Sequence, residues 1–600
     1  MAQLTPSAVV LLFVFLHSQG VSPEYATRGN NGVSSQASAN AGYIGSKACA
    51  PCHARIYNSY SQTSMGQSMS ILTPSVLKRI PQSASVLSVQ LNRHFSVFVR
   101  NGELYQSEWA SGENGREVFR ETERVEWILG AGTNAMGGII RKDDQFFEAP
   151  LTFYRKTRVW ALSPGYEDVD RGFNRPIEVE CIFCHSGRSN PVSGAIGRFQ
   201  TPPFEELAIG CENCHGPGAA HVRDMRGGFS KPGRRNPSIV NPRKLAPWLA
   251  DNICMSCHQN GDARVLQPGK KIQDFRPGQP LDDTLAILMV PPTRESPPDS
   301  DHLQHYFSMT LSKCYRSSGA KLSCITCHNP HIQPPPEQAP LYFRTRCLTC
   351  HTENRCTEPY ALRQQTKPPD DCVSCHMPKR EVTMISHASL TNHRIVATFQ
   401  QPFPDITFQL ATPQLADLVH LNAIPGQTSN VPPSLTLLQT YGQLSVGHRE
   451  YLRRYFELAE ELETSKPNDS NVLEALAARS LQQRTPEGDG VAMEYLERAI
   501  ENGSTSAWDF EQLGGRLLRE QKFQEGLACL QKGVERAPYD GKLYALLAEA
   551  YVMLNRQGEA AVTLKQASQL FPQMDLLREL LNEVEQNRPS EQGTAQSPER

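Results

Sequence analysis

Two periodicities divide the chain. Between about 84 and 162, apolar and polar residues alternate: SVLSVQL at 85–91, HFSVFVRNGELYQSEW at 94–109, EVFRETERVEWILGAG at 117–132 and QFFEAPLTFYRKTRVWAL at 145–162. Period two marks half-buried strands, and Asn101-Gly102 within the second run is a hairpin signal. An antiparallel β insert over about 84–162 is predicted, with Trp109, Trp127 and Trp160 in its core. The glycine-rich GAGTNAMGG at 130–138 lacks a following Gly-Lys-Ser/Thr and reads as a turn, not a phosphate loop.

Beyond residue 400 the pattern becomes helical and repeats. Phe510, Leu513, Gly514, Leu517, Gly526, Leu530 and Pro538 recur 34 positions later as Tyr544, Leu547, Ala548, Tyr551, Ala560, Leu564 and Pro572. An earlier copy surrounds Ala492, Leu496 and Ala499, and a degenerate one ends near Pro467. The period and the small residues at helix crossings are those of tetratricopeptide repeats (TPR), three or four helix pairs over about 434–587 within a helical domain assigned to 401–587. Such arrays present a concave surface suited to docking a partner; a helical cap on the preceding domain is the plainer alternative. The tail RPSEQGTAQSPER, 588–600, has the composition of a disordered segment.

At the other end AVVLLFVFL, 8–16, is an apolar run too short to span a bilayer. Ser18 and Gly20 offer a small-x-small cleavage site, although no Lys or Arg precedes the run. Residues 1–20 are expected to be a signal peptide and 21–44 a linker, which implies an exported, periplasmic protein without a transmembrane anchor once processed.

Composition alters this picture in two ways. The 600 residues carry 60 basic and 62 acidic side chains, a formal net charge of -2, which argues against nucleic-acid binding through bulk positive charge. The chain also has 17 Cys and 17 His. Seven times it reads Cys-x-x-Cys-His: Cys49/Cys52/His53, Cys181/Cys184/His185, Cys211/Cys214/His215, Cys254/Cys257/His258, Cys324/Cys327/His328, Cys347/Cys350/His351 and Cys372/Cys375/His376. Chance would supply roughly 0.01 such strings in a chain of this composition.

Two thiols three positions apart on one helical turn can each add to a vinyl group of the same haem, and the adjoining His then lies beneath the iron as proximal ligand. Zinc sites join two Cys-x-x-Cys pairs without requiring His after each, and Cys-x-x-Cys disulfides are strained and redox-active. Seven covalently attached c-type haems are therefore expected. Cys314, Cys356 and Cys529 are left over. Cys529 falls in the helical repeats as a small hydrophobe. Cys314 and Cys356 could pair, or Cys314 could offer its sulfur to an iron.

The sixth ligand decides whether an iron relays electrons or binds substrate. Apart from the motifs and the leader, His94, His221, His302, His305, His331, His387 and His393 lie within the motif region, with Met65 and Met69. His221, in CHGPGAAH, and His331, in CHNPH, lie too close in sequence to cap their own irons and suit neighbouring ones. His387 and His393 follow the last motif and suit cross-ligation too. One of His302 and His305 is expected to ligate, with His305 entered as the candidate. His94 sits in a strand pattern. Met65 is the candidate distal ligand of the first haem, with core packing as its alternative.

The region from about 45 to 400 resembles the multihaem c-type cytochromes of the hydroxylamine oxidoreductase and pentahaem nitrite reductase superfamily, through CHGPG..H at 211–221, CHNPH at 327–331 and TNHRI at 391–395. In that family a Trp-x-x-Ser-x-His element after the first haem supplies a distal His; here the stretch reads Tyr60, Thr63, Met65. No Cys-x-x-Cys-Lys is present, and no residue is identified as catalytic. Motifs, insert and repeats together predict a mainly α fold: a haem domain of short helices and loops at 45–400 carrying the β insert, then the TPR array. The seven motifs and their candidate distal ligands predict electron transfer to or from a redox partner protein. The competing expectation is an oxidoreductase acting on a small nitrogen or sulfur compound at one open-faced haem.

Overall fold

The structure, a computed structural model, describes residues 42–587 apart from 113, 228–237, 299–303, 353–355, 380–390 and 428. The expected leader, most of the linker, the tail, His302 and His387 lie outside the described residues.

The alternating region folds as a meander of seven strands: β2 (Ser83–Ser88), β3 (Arg93–Arg100), β4 (Glu103–Ser111), β5 (Glu117–Leu129), β6 (Ala135–Lys142), β7 (Gln145–Tyr154) and β8 (Val159–Leu162). An eighth, β1 (Met69–Ile71), pairs with β5 through Ile71 and Trp127. The β3–β4 turn is the predicted one: Arg100 faces Glu103 across it. Asn101 and Gly102 take φ values of 54° and 80° there, a left-handed pair that Asn-Gly tolerates well. The sheet curls until its ends meet, where the Trp160 indole N–H donates to the Pro81 carbonyl at 2.9 Å. Inside, Phe95, Val97, Leu104, Ile128, Ile140 and Leu151 are almost fully buried. Gln106 on β4 crosses to β7, donating to the Leu151 carbonyl and accepting its N–H, both at 2.8 Å, so a buried amide is satisfied by backbone.

This nearly closed barrel corrects the expectation of a mainly α chain. Further strands lie among the motifs: β9 (Arg188–Pro191) with β10 (Phe199–Glu206), and β11 (Ala263–Leu266) with β12 (Leu285–Met289) and β13 (Val419–His420). The physical reason is the size of the alternating insert and the shortness of the motif helices. Cys-x-x-Cys-His needs only one turn, so seven motifs contribute little helix. Strand β12, LAILM, is buried at every position and shows no alternation; such runs are ambiguous from periodicity alone.

Nine helices, from Ser434–Leu444 to Asp575–Gln586, form the C-terminal array. Small residues sit where helices cross: a Cβ on Gly514 would lie 2.5 Å from the Leu530 side chain, and Ala548 and Ala560 are buried one repeat later. Segment 401–433 precedes these helices and supplies β13, which pairs with β12. The array is joined to the rest at both ends. At the first, Val265, Ala286 and Leu288 share a core with Leu438, Tyr441 and Tyr455. At the last, Arg93 donates to the Gln573 carbonyl at 3.1 Å, Asn174 to the Leu570 carbonyl at 2.8 Å, and Arg578 lies over the Phe119 ring. Among the described residues no helix is long and apolar enough to cross a membrane.

Candidate haem-binding site

Each motif is built on a helical turn. The amide of His53 donates to the Cys49 carbonyl at 2.9 Å, and His215, His328 and His351 donate to Cys211, Cys324 and Cys347 at 3.0 Å. The other motifs lie in the helices Val179–His185, Pro247–His258 and Cys372–His376. One closed turn brings both thiols to the side from which the histidine emerges, as two-point attachment with a proximal ligand requires.

Local caps fix these turns. Asp371 accepts the Val373 N–H at 3.0 Å. Ser323 and Thr326 form a capping box at the fifth motif. Asp251 accepts the Cys324 N–H at 2.9 Å, and burial pushes its carboxyl up to about 6. In the third motif the buried Glu212 accepts the N–H groups of Ile44, Gly45 and Gly218 at 3.1, 2.7 and 2.7 Å, tying the approach to the first motif onto the third.

Four motif imidazoles each lie near a non-motif one, and two of the latter, His305 and His393, also approach each other to 4.1 Å. His53 faces His221 with ring centres 6.4 Å apart and planes 22° from parallel; His215 faces His331 at 6.1 Å and 8°. His258 faces His305 at 5.7 Å and 17°, and His328 faces His393 at 6.1 Å and 35°. Each of these pairs joins a motif histidine to a non-motif one. Two imidazoles sharing a metal through nitrogens at about 2 Å have ring centres roughly 6.4 Å apart, so the spacing fits an iron between them. Ring nitrogens are oriented from outside: Nδ1 of His215, His376 and His393 lies 2.7, 2.7 and 3.0 Å from the carbonyls of Val240, Val396 and Thr391. A carbonyl there holds the proton on Nδ1 and leaves Nε2 for a metal. Burial lowers His305 to about 2 and His393 to about 4.

Met65, expected opposite His53, lies half-buried in the turn after the first motif helix, and the ring opposite His53 is that of His221. His94 stacks on Trp109 across β3 and β4, 5.3 Å away. His185 is placed through its carbonyl, which accepts the Ser68 hydroxyl at 2.8 Å. None of the described cysteines is joined to another in a disulfide. Cys529 is buried among apolar repeat residues. Cys314 is half-buried and Cys356 exposed.

Thiols of different motifs touch: Cys49 with Cys211, Cys184 with Cys257, Cys254 with Cys324 and Cys347 with Cys372. Cys214 adjoins Cys254 and Cys257, and Cys327 adjoins Cys350.

Two of the expected haem anchors, Cys52 and Cys375, are exposed. Their motif partners Cys49 and Cys372 are half-buried against thiols of other motifs. Cys375 has the Ser374 hydroxyl 4.0 Å away. Cys181, Cys347 and Cys350 are exposed as well.

Glu212 and Asp251 were not singled out in the sequence; a charged residue within or just before a motif was their only signal. Among the described residues, no group of three or more His, Cys, Asp or Glu side chains converges to hold a bare metal ion.

Seven Cys-x-x-Cys-His turns, four of them with a facing histidine, are a donor set suited to covalently attached haems, and the chain is similar to multihaem cytochromes and to tetratricopeptide-repeat proteins. The chain is 25% identical over 186 residues to the multiheme cytochrome MtrA of Shewanella baltica (strain OS185), covering 29% of this chain and about half, 53%, of that relative. No family model matches. Among solved structures, the outer cell wall cytochrome OcwA aligns over 77% of this chain and 100% of its own, at 15% identity and a TM-score of 0.36. YrrB, a TPR protein with an unusual peptide-binding site, aligns over 26% of this chain and 79% of its own, at 15% identity and a TM-score of 0.23.

Proposed function

We propose that this chain is an exported heptahaem c-type cytochrome that passes electrons between a redox partner and an acceptor. The carrying observation is that four motif histidines each face a second histidine at the separation an intervening iron needs. A haem held between two imidazoles supplies a reversible one-electron couple and no open face for substrate. On this reading His221, His331, His305 and His393 are the distal ligands for the first, third, fourth and fifth sites, and Met65 has no ligand role at the first. His387 remains a candidate for another site. Similarity of CHGPG..H, CHNPH and TNHRI to the hydroxylamine oxidoreductase and nitrite reductase superfamily supports the same reading.

The touching thiols support an order. They set the first motif beside the third, the second beside the fourth, the fourth beside the fifth and the sixth beside the seventh, while electrostatic proximity alone relates the third to the fourth and the fifth to the sixth. Exposed anchors, Cys52, Cys181, Cys347, Cys350 and Cys375, lie at the first, second, sixth and seventh sites, where a haem edge near solvent suits exchange with partners. The protein's part is to hold these attachment points close together and keep the axial imidazoles oriented. The helical array packs at its own two ends against the β11–β12 core and the barrel, and offers its remaining surface to a protein partner. Electron paramagnetic resonance of the oxidised protein tests the proposal: low-spin signals from at least four bis-histidine haems are expected. A spectrum dominated by high-spin haem would refute it.

A further inference from the structure

Arg264 stands where the second and fourth motifs meet. It lies within β11, paired with Ile287 of β12. Its neighbours Ala263 and Val265 enter the core shared with the helical array, so Arg264 projects from the other face of the strand, toward the fourth motif. There its guanidinium donates to two carbonyls at the end of helix Pro247–His258, that of Ser256 at 2.7 Å and that of Gln259. A helix end of this kind presents carbonyls and favours a cation.

The same Ser256 carbonyl accepts the Cys184 thiol at 3.8 Å, so a guanidinium nitrogen lies within about 6.5 Å of that sulfur. Cys184 in turn touches Cys257, and the positive charge is felt at both thiols. One fixed cation therefore stands beside the attachment points of two motifs. Its donors go to neutral carbonyls, and among the described residues it enters no ion pair. Asp262, two residues back on the strand, directs a carboxylate oxygen to the Val290 N–H at 2.7 Å. The acidic groups near the second motif, Glu178, Glu148 and Glu180, bear on its other thiol, Cys181, where Arg175 opposes them.

Reduction of a haem adds one electron and breaks no bond, so the site becomes more negative by one charge. A cation held nearby stabilises that reduced form. Arg264 is half-buried and lies inside the screening length, about 10 Å at 0.1 M salt, so little of its effect is lost to counterions.

We propose that Arg264 raises the reduction potentials of the haems attached at the second and fourth motifs. This rests on the multihaem reading and deepens it, naming a residue that sets the driving force for electrons at that junction. The plainer role is a clamp on the helix end, and the test separates the two.

The wild-type holoprotein is compared with Arg264→Gln, which keeps an amide donor and removes the charge, and with Arg264→Lys, which keeps the charge. Arg198→Gln, which breaks a partly exposed pair with Asp144, is the control. Haem count, the individual potentials by spectroelectrochemical titration and the melting temperature are measured for each. Arg264→Gln should lower two potentials and leave the others in place, Arg264→Lys should hold those two near the wild-type values, and Arg198→Gln should move none. In a His305→Ala background, where a high-spin signal marks the fourth haem, the marked haem should be one of the two that shift. Unchanged potentials in Arg264→Gln overturn the proposal and leave Arg264 a clamp on the helix end. Equal losses in the glutamine and lysine variants overturn it as well, because position rather than charge would then be responsible. Should Arg264→Gln fail to mature, Arg264→Met carries the same prediction. Fewer than seven haems in the wild type would refute the cytochrome reading itself, whatever the potentials do.

Discussion

Glu212 lies inside the third motif, yet its carboxylate serves the first. It is 2% exposed and accepts the N–H groups of Ile44, Gly45 and Gly218. Glu212→Gln preserves shape but leaves one acceptor oxygen and turns an amide N–H₂ toward backbone donors. Hydrogen bonds to a charged acceptor contribute about 1.5–3 kcal/mol each, and an orphaned buried donor costs about 1–3 kcal/mol. Losing one bond and weakening the others should raise the local free energy by about 3 kcal/mol. At 1.4 kcal/mol per decade that is roughly a hundredfold faster amide exchange at Ile44, Gly45 and Gly218. Hydrogen exchange with mass spectrometry is the suitable assay, because a multidomain cofactor protein does not unfold in two states. Glu117→Gln, a half-exposed surface change, is the control and should stay within about 0.5 kcal/mol. Unchanged exchange over the peptides containing residues 44, 45 and 218 would refute the reasoning.

His393→Ala should add a high-spin signal to the oxidised spectrum, because its ring faces His328, whereas His94→Ala, which only loses a stack on Trp109, should leave the spectrum unchanged. Met65→His should leave every haem potential in place, since His221 already stands opposite His53; a lowered potential would restore Met65 as a ligand. Gly514→Ala forces a Cβ to within 2.5 Å of Leu530 and should destabilise the array by about 1–3 kcal/mol, seen as an earlier helical melt by circular dichroism. Burial pushes Glu121 and Glu148 in the barrel up to about 7. Their folded values exceed the ordinary 4.5, so the stability they contribute is complete below pH 4.5 and is lost as pH rises through 7. Replacing both by Gln should flatten the melting temperature between pH 5 and 8, and an unchanged slope would count against these two groups as its cause.

What could be read from the chain depended on the range of the forces involved. The seven attachment motifs are local, with every atom needed for the turn lying within five residues. Which of their thiols would be packed and which, like Cys52 and Cys375, exposed depends on neighbouring motifs and was not local. The β insert was legible from alternation and from Asn101-Gly102, and the 34-residue period located the array from Ser434 onward. Three further things were not legible. The fold class was misjudged because the barrel's weight, and short fully buried strands such as LAILM at 285–289, carry little periodic signal. The partner of His53 was sought nearby in Met65, whereas the facing ring comes from His221, brought back only when Glu212 ties the first motif to the third. The meeting of Arg264 and Cys184 at the Ser256 carbonyl depends on three separate segments, and nothing in the spacing of those residues announces it.

The central claim is that every Cys-x-x-Cys-His carries a haem. Intact-mass spectrometry of the mature holoprotein, read beside its haem absorbance, tests it most directly. The account predicts seven covalent haems per chain; a mass with fewer, or with zinc or disulfides on the motif cysteines instead, would contradict it.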